Sequence, residues 1–204
     1  MIAIIDYDIG NLGAIANMLA RLGANAAITN DADKVGSATG LILPGNGSFD
    51  ACMRGLRATG LLASIEKRVF DAKVPILGIC VGAQMIGNGS EEGEEKGLGW
   101  IDMTAHKFPA SSGLRVPHMG WGNVRVTQSA DPIGSALDPD SRFYFVHSYF
   151  LKPAARRNVI LEANYGLDFA AGVVEGNIYG VQFHPEKSHR YGKSLLRAFK
   201  DLCE

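Results

Sequence analysis

Three times in the N-terminal half, a short unbroken apolar run meets a glycine-bearing turn and gives way to apolar residues at helical spacing. "IAIIDY" leads through "DIGN" into "LGAIANMLARLG", where Ile15, Met18, Leu19 and Leu22 share one helical face. "GLILPGNGSFDACMRGLRATG" and "VPILGICVGAQMIGN" repeat the pattern. Unbroken strands alternating with helices predict an α/β fold with a mostly parallel sheet covered on both faces. Ligands of such sheets collect at the carboxyl ends of the strands, where all three glycine turns fall.

After about residue 98 the pattern changes to alternating apolar and aromatic positions, as in "RVPHMGWGNVRV", "RFYFVHSYFL" and "FAAGVVEGNIYGVQFHPEKS". These predict additional antiparallel strands in the C-terminal half, with Gly176-Asn177 as a hairpin turn. "GKSLLRAFKDLC" predicts a closing amphipathic helix with Leu195, Leu196 and Phe199 inward. The polar segment 89–97 predicts an exposed loop. No repeat or linker divides the chain, so residues 1–204 are expected to form a single domain.

At 204 residues and 47% hydrophobic, the chain is long enough for a sizeable core. Twenty basic residues balance twenty-one acidic ones without a basic block, which argues against nucleic acid as a partner. No stretch approaches the ~20 apolar residues of a membrane span, and the first residues lack a signal-peptide pattern. Cys52, Cys80 and Cys203 stand far apart with no CxxC spacing. Neither a disulfide framework nor a metal site is expected, and a cytoplasmic setting is.

Candidate chemistry centres on Gly78-Ile79-Cys80-Val81-Gly82, a nucleophile elbow with sulfur in place of hydroxyl. The flanking glycines allow a tight, strained turn, and the following helix points free N–H groups at the thiol, where an oxyanion would develop. A buried structural cysteine beside packing glycines is the equally weighted alternative. Of His106, His118, His147, His184 and His189, the stretch "GVQFHPEKS" selects His184. Glu186 lies two residues on, so in an extended chain both side chains leave one face, and Pro185 stiffens that end. A carboxylate beside an imidazole sets its tautomer, the task of the third member of a triad.

"PGNGSF", "GICVGAQ" and "FHPEKS", in this order, resemble the class I, or triad, glutamine amidotransferases. "SEEG…GLGW", "VPHMGW" and "YFVHSY" resemble the branch that forms the glutaminase subunit of imidazole glycerol phosphate synthase, and the likeness runs nearly end to end. It implies a flavodoxin-like fold without a cofactor and hydrolysis of L-glutamine to L-glutamate and ammonia. The ammonia would pass through a channel to a synthase (cyclase) subunit in a heterodimer. By this resemblance Cys80 is the nucleophile, His184 the proton carrier and Glu186 its orienter. Val81 and the Asn46-Gly47 part of the "PGNG" turn would supply oxyanion donors, and that turn would act as a switch. Gly45, Gln84, Glu91, His147, Ser148 and Tyr149 would bind glutamine, with Glu91 on its ammonium group. His118, Trp121, Tyr144 and Lys187 would meet the partner.

The chain departs from the branch pattern at Asn46 and Ser48, at Trp100, at Gly122 with the asparagine displaced to Asn123, and at His189. These changes suit a different partner, so an ammonia-supplying subunit for sugar amidation in surface polysaccharide synthesis stands as the alternative. Cysteine peptidases and redox chaperones on related sheets, and a docking subunit without activity, are more remote.

Overall fold

The computed structural model describes residues 1–109 and 113–204. Its first half holds strands β1 (Ile2–Ile5), β2 (Ala26–Thr29), β3 (Gly40–Gly45) and β4 (Ile76–Cys80). Between and after them run helices α1 (Leu12–Arg21), α2 (Ala32–Ser37), α3 (Phe49–Ala58), α4 (Leu62–Glu66) and the short α5 (Val81–Met85). The second half adds β5 (Gly89–Ser90), β6 (Met103–Lys107), β7 (His118–Val126), α6 (Pro132–Ser135), β8 (Arg142–His147) and β9 (Tyr149–Pro153). β10 (Val159–Asn164), β11 (Asp168–Glu175), β12 (Ile178–Val181) and α7 (His189–Leu202) complete it.

The twelve strands described belong to one sheet, with the central order β2-β1-β3-β4-β12-β11-β10-β7-β8. From β2 to β12 neighbours run parallel; from β12 to β8 they alternate in direction. β1, β3 and β4 are buried along their whole length, as their unbroken apolar runs require. Each fully buried Leu or Ile there contributes about 1.5–3 kcal/mol. Since β2 and β3 flank β1, right-handed crossovers put α1 on one face and α2, α3 and α4 on the other. α7 joins α1, with Leu195, Leu196 and Phe199 buried as expected.

β2 is an edge strand of small residues, which is why its sequence carries little signal. The Gly176-Asn177 hairpin forms between β11 and β12, with Gly176 at φ 59°. The polar segment 89–97 is anchored at several points. Gly89 and Ser90 pair with β6, and the Asp50 carboxylate accepts from the N–H groups of Glu94 and Glu95 at 3.2 and 3.0 Å. Among the described residues no helix is long and apolar enough to cross a membrane.

Candidate active site

The register of the parallel strands assembles the site. Gly45 at the end of β3 lies opposite Cys80 at the end of β4, and Ile79 lies opposite Val181 at the end of β12. Cys80 and the residues after Val181 therefore emerge side by side at one rim of the sheet. Cys80 caps α5 with φ 55° and ψ −112°, so the strain sits on the cysteine itself. The flanking glycines, expected to supply that strain, have no left-handed φ; what they supply is room. A Cβ on Gly82 would lie 1.9 Å from the Leu43 carbonyl oxygen, and one on Gly45 would lie 2.2 Å from the Gly82 nitrogen. Backbone thus meets backbone where β3 ends and α5 begins, holding the 44–47 turn against Val81.

His184 and Glu186 follow β12, but not in the extended form expected. Pro185–Lys187 make one 3-10 turn, closed by Lys187 N–H to His184 O at 3.1 Å and Ser188 N–H to Pro185 O at 3.0 Å. The turn swings the Glu186 carboxylate back to accept from His184 Nδ1 at 2.8 Å. Among the described residues, the buried His184 Nε2 has no hydrogen-bond partner. Burial pulls the imidazole pKa down, but the neighbouring Cys80 and Glu186 groups outweigh it and lift the pKa to about 9. The backbone of Tyr144 in β8 braces this turn: its carbonyl accepts from His184 N–H at 2.9 Å, and its N–H donates to Ser188 Oγ at 3.0 Å.

In front of the thiol lies a cavity of about 210 Å³. Asn46 and Gly47 bound it on one side, Val81 and Gln84 beside Cys80, and Val146, His147, Ser148 and Tyr149 opposite. The turn is held from behind, where Tyr7 donates to Pro44 O and the Cys52 thiol donates to Asn46 O at 3.5 Å. Gln84 is buried and donates to Tyr149 O and to Gln182 Oε1, both at 3.3 Å. A larger cavity of about 730 Å³ lies near β7 and β10 around Arg125 and Glu162. None of the candidate catalytic side chains lines it, and Glu162 is already paired with Arg125 and Arg156.

Two expectations need correction. Glu91 does not reach the cavity. The pairing of β5 with β6 turns it outward, where it accepts from Lys107 N–H at 2.7 Å and meets His106 Nδ1 at 2.9 Å. Glu92 lines the cavity instead and accepts from Phe49 N–H at the start of α3 at 2.9 Å. His118 is not a surface residue either. It is 5% exposed and stacked on Tyr165 and Phe145, with ring centroids 3.9 and 4.9 Å away. Its neighbours on β7 are the exposed ones: Met119 and Trp121 are 61% and 44% accessible. Trp121 meets Tyr144 edge-on at 6.2 Å and carries Arg142 and His189 against its ring, and Lys187 is exposed nearby in sequence to His189.

Sequence reasoning also passed over Gln182 and Ser188. Gln182 is fully buried, with its amide 4.0 Å from Cys80 Sγ, and an amide inside the apolar run "YGVQF" is itself the signal of a polar network. Ser188 is fully buried and donates to His184 O at 2.6 Å.

The family model of class I glutamine amidotransferases matches residues 3–202. The imidazole glycerol phosphate synthase subunit HisH 2 of Pseudomonas aeruginosa is 46% identical over 99% of this chain and all of its own length. Its namesake in Methanococcus maripaludis is 47% identical over 98% of both chains, and subunit HisH of Bdellovibrio bacteriovorus is 43% identical over 99% of this chain. A crystal structure of a glutamine amidotransferase superposes with a TM-score of 0.77 at 20% identity, covering 98% of both chains, which supports the fold. The chain belongs to the class I glutamine amidotransferase family, in the branch of its HisH-type relatives.

Proposed function

We propose that this chain is the glutaminase subunit of an imidazole glycerol phosphate synthase. It hydrolyses L-glutamine to L-glutamate and ammonia and delivers the ammonia through a channel to the cyclase subunit of a heterodimer, for L-histidine synthesis in the cytoplasm. The observation that carries the reading is the buried imidazole of His184, with Glu186 on Nδ1 and Nε2 free to serve the neighbouring thiol.

The chemistry follows from those positions. The thiol proton is already held on His184 Nε2, whose pKa stands at about 9, when Cys80 Sγ attacks the side-chain amide carbon of glutamine. Collapse of the tetrahedral adduct breaks the C–N bond, and His184 returns the proton so that ammonia leaves and a γ-glutamyl thioester remains. A water molecule then adds to the thioester as His184 takes its proton. Sulfur departs, is reprotonated, and glutamate is released. Such a proton carrier contributes roughly two to four powers of ten in rate. The Val81 N–H and an N–H of the Asn46-Gly47 turn hold the negative oxygen. One such donor is worth roughly 3 kcal/mol, so the seating of that turn sets the rate. Glu92, in place of Glu91, carries the charge for the substrate ammonium, and Ser148 and Tyr149 present backbone to its carboxylate.

Met119, Trp121, Tyr144 and Lys187 form the docking face for the cyclase. Relatives that share the full length of the chain are named as synthase subunits, which favours this partner over a sugar-amidating one. Mixing the purified chain with a cyclase subunit and its nucleotide substrate tests the assignment. Glutamate release should rise and match imidazole product one for one; glutamate release unaffected by the cyclase would contradict it.

A further inference from the structure

His118 and His147 are directly opposed across β7 and β8, and both are buried at 5% exposure. His147 Nδ1 lies 2.8 Å from Tyr149 O, and His147 Nε2 lies 3.0 Å from His118 Nδ1. A carbonyl oxygen can only accept, so His147 Nδ1 carries the proton. Burial holds both rings neutral, pushing His118 down to about 4 and His147 to about 3. Neutral His147 therefore accepts at Nε2, and His118 must donate from Nδ1. Tyr165 and Phe145 sandwich the His118 ring, so it cannot swing aside cheaply.

The chain of bonds ends where substrate would bind. Tyr149 O is held by both His147 and Gln84, and Ser148 and Tyr149 line the cavity before Cys80. It begins at the docking face, because Met119 and Trp121 are exposed on the strand that His118 opens. Pro117, just before His118, lines the same cavity.

Resting on the glutaminase reading above, we infer that His118 is a positioning residue for glutamine: its Nδ1–H orients His147, which seats the Ser148-Tyr149 turn and ties that seat to the partner-facing strand. Its role is felt in substrate affinity rather than in the bond-breaking steps.

Steady-state glutaminase kinetics of the complex with its cyclase, for wild type and three variants, test this. His118→Asn places an amide N–H where Nδ1 stands and should keep the KM for glutamine within about twofold. His118→Gln places it at the far side, and His118→Phe keeps the stacking without any donor. Both leave a buried acceptor unpaired and should raise KM about tenfold, with kcat changed far less. Calorimetric affinity for the cyclase and far-UV circular dichroism should be equal in all four, which reads docking and folding independently. If His118→Phe does not fold, the Asn and Gln pair decides. Equal KM across the variants, or a loss in kcat alone, overturns the inference. A wild-type complex that releases no glutamate overturns the glutaminase reading, and this one with it.

Discussion

The Glu186 carboxylate accepts from His184 Nδ1 at 2.8 Å while both side chains are nearly sealed from water, 1% and 5% exposed. With burial opposed by Cys80 and Glu186, the His184 pKa stands at about 9. An imidazole ordinarily titrates near ~6.5. A raised folded-state pKa gives stability that is complete below about 6.5 and is lost as pH climbs through about 9. Denaturant unfolding across that window should show stability falling in wild type, with His184→Gln lacking that part of the slope. The same slope in both proteins would refute it. Glu186→Gln should lower glutaminase kcat by about a hundredfold or more, since the tautomer and orientation of His184 are no longer set.

Gly82 tests the seating of the 44–47 turn, the proposed source of an oxyanion donor. Its Cβ would strike the Leu43 carbonyl oxygen, which is backbone and cannot yield by rotation. Gly82→Ala should cost about 1–3 kcal/mol of stability and weaken glutamine turnover by displacing the 44–47 turn. Denaturant unfolding with parallel kinetics reads both effects; wild-type values in each would show that the close approach does not matter.

Glu91 and Glu92 are adjacent in sequence and part ways in space. Glu92→Gln should raise the KM for glutamine at least about tenfold, as a charge-assisted bond to the ammonium is lost. Glu91→Gln, which touches His106 and Lys107 outside the cavity, should stay within about twofold. A reversed order would restore the assignment read from sequence.

How far the sequence carried depends on the range of the interaction. The βα units were legible because fully buried parallel strands leave unbroken apolar runs, and the His184–Glu186 pair because its members are two residues apart. What pairs with what across the sheet was not. That β12 lies beside β4, bringing His184 to Cys80, is a matter of long-range register. The Glu91 misassignment has the same root, since a two-residue strand paired to β6 decides which of two neighbouring carboxylates faces inward. His118 was placed at the partner interface by the resemblance of "VPHMGW" alone, yet the alternation of β7 turns it into an aromatic cluster. The role of Gly82 is invisible locally, because it concerns the approach of a separate strand.

Trp121 is an exposed aromatic on the proposed docking face, braced by Tyr144, Arg142 and His189. Trp121→Ala should weaken cyclase binding by about 2 kcal/mol or more. Titration calorimetry measures this, and unchanged affinity would move the interface elsewhere.

The most direct test compares the two ammonia sources in the complex of Cys80→Ala with its cyclase. Glutamine-dependent synthase activity should vanish while activity on added ammonium salt remains at the wild-type level. Retained glutamine-dependent activity, or loss of both activities together with an intact complex, would contradict a catalytic role for the thiol at the rim of β4.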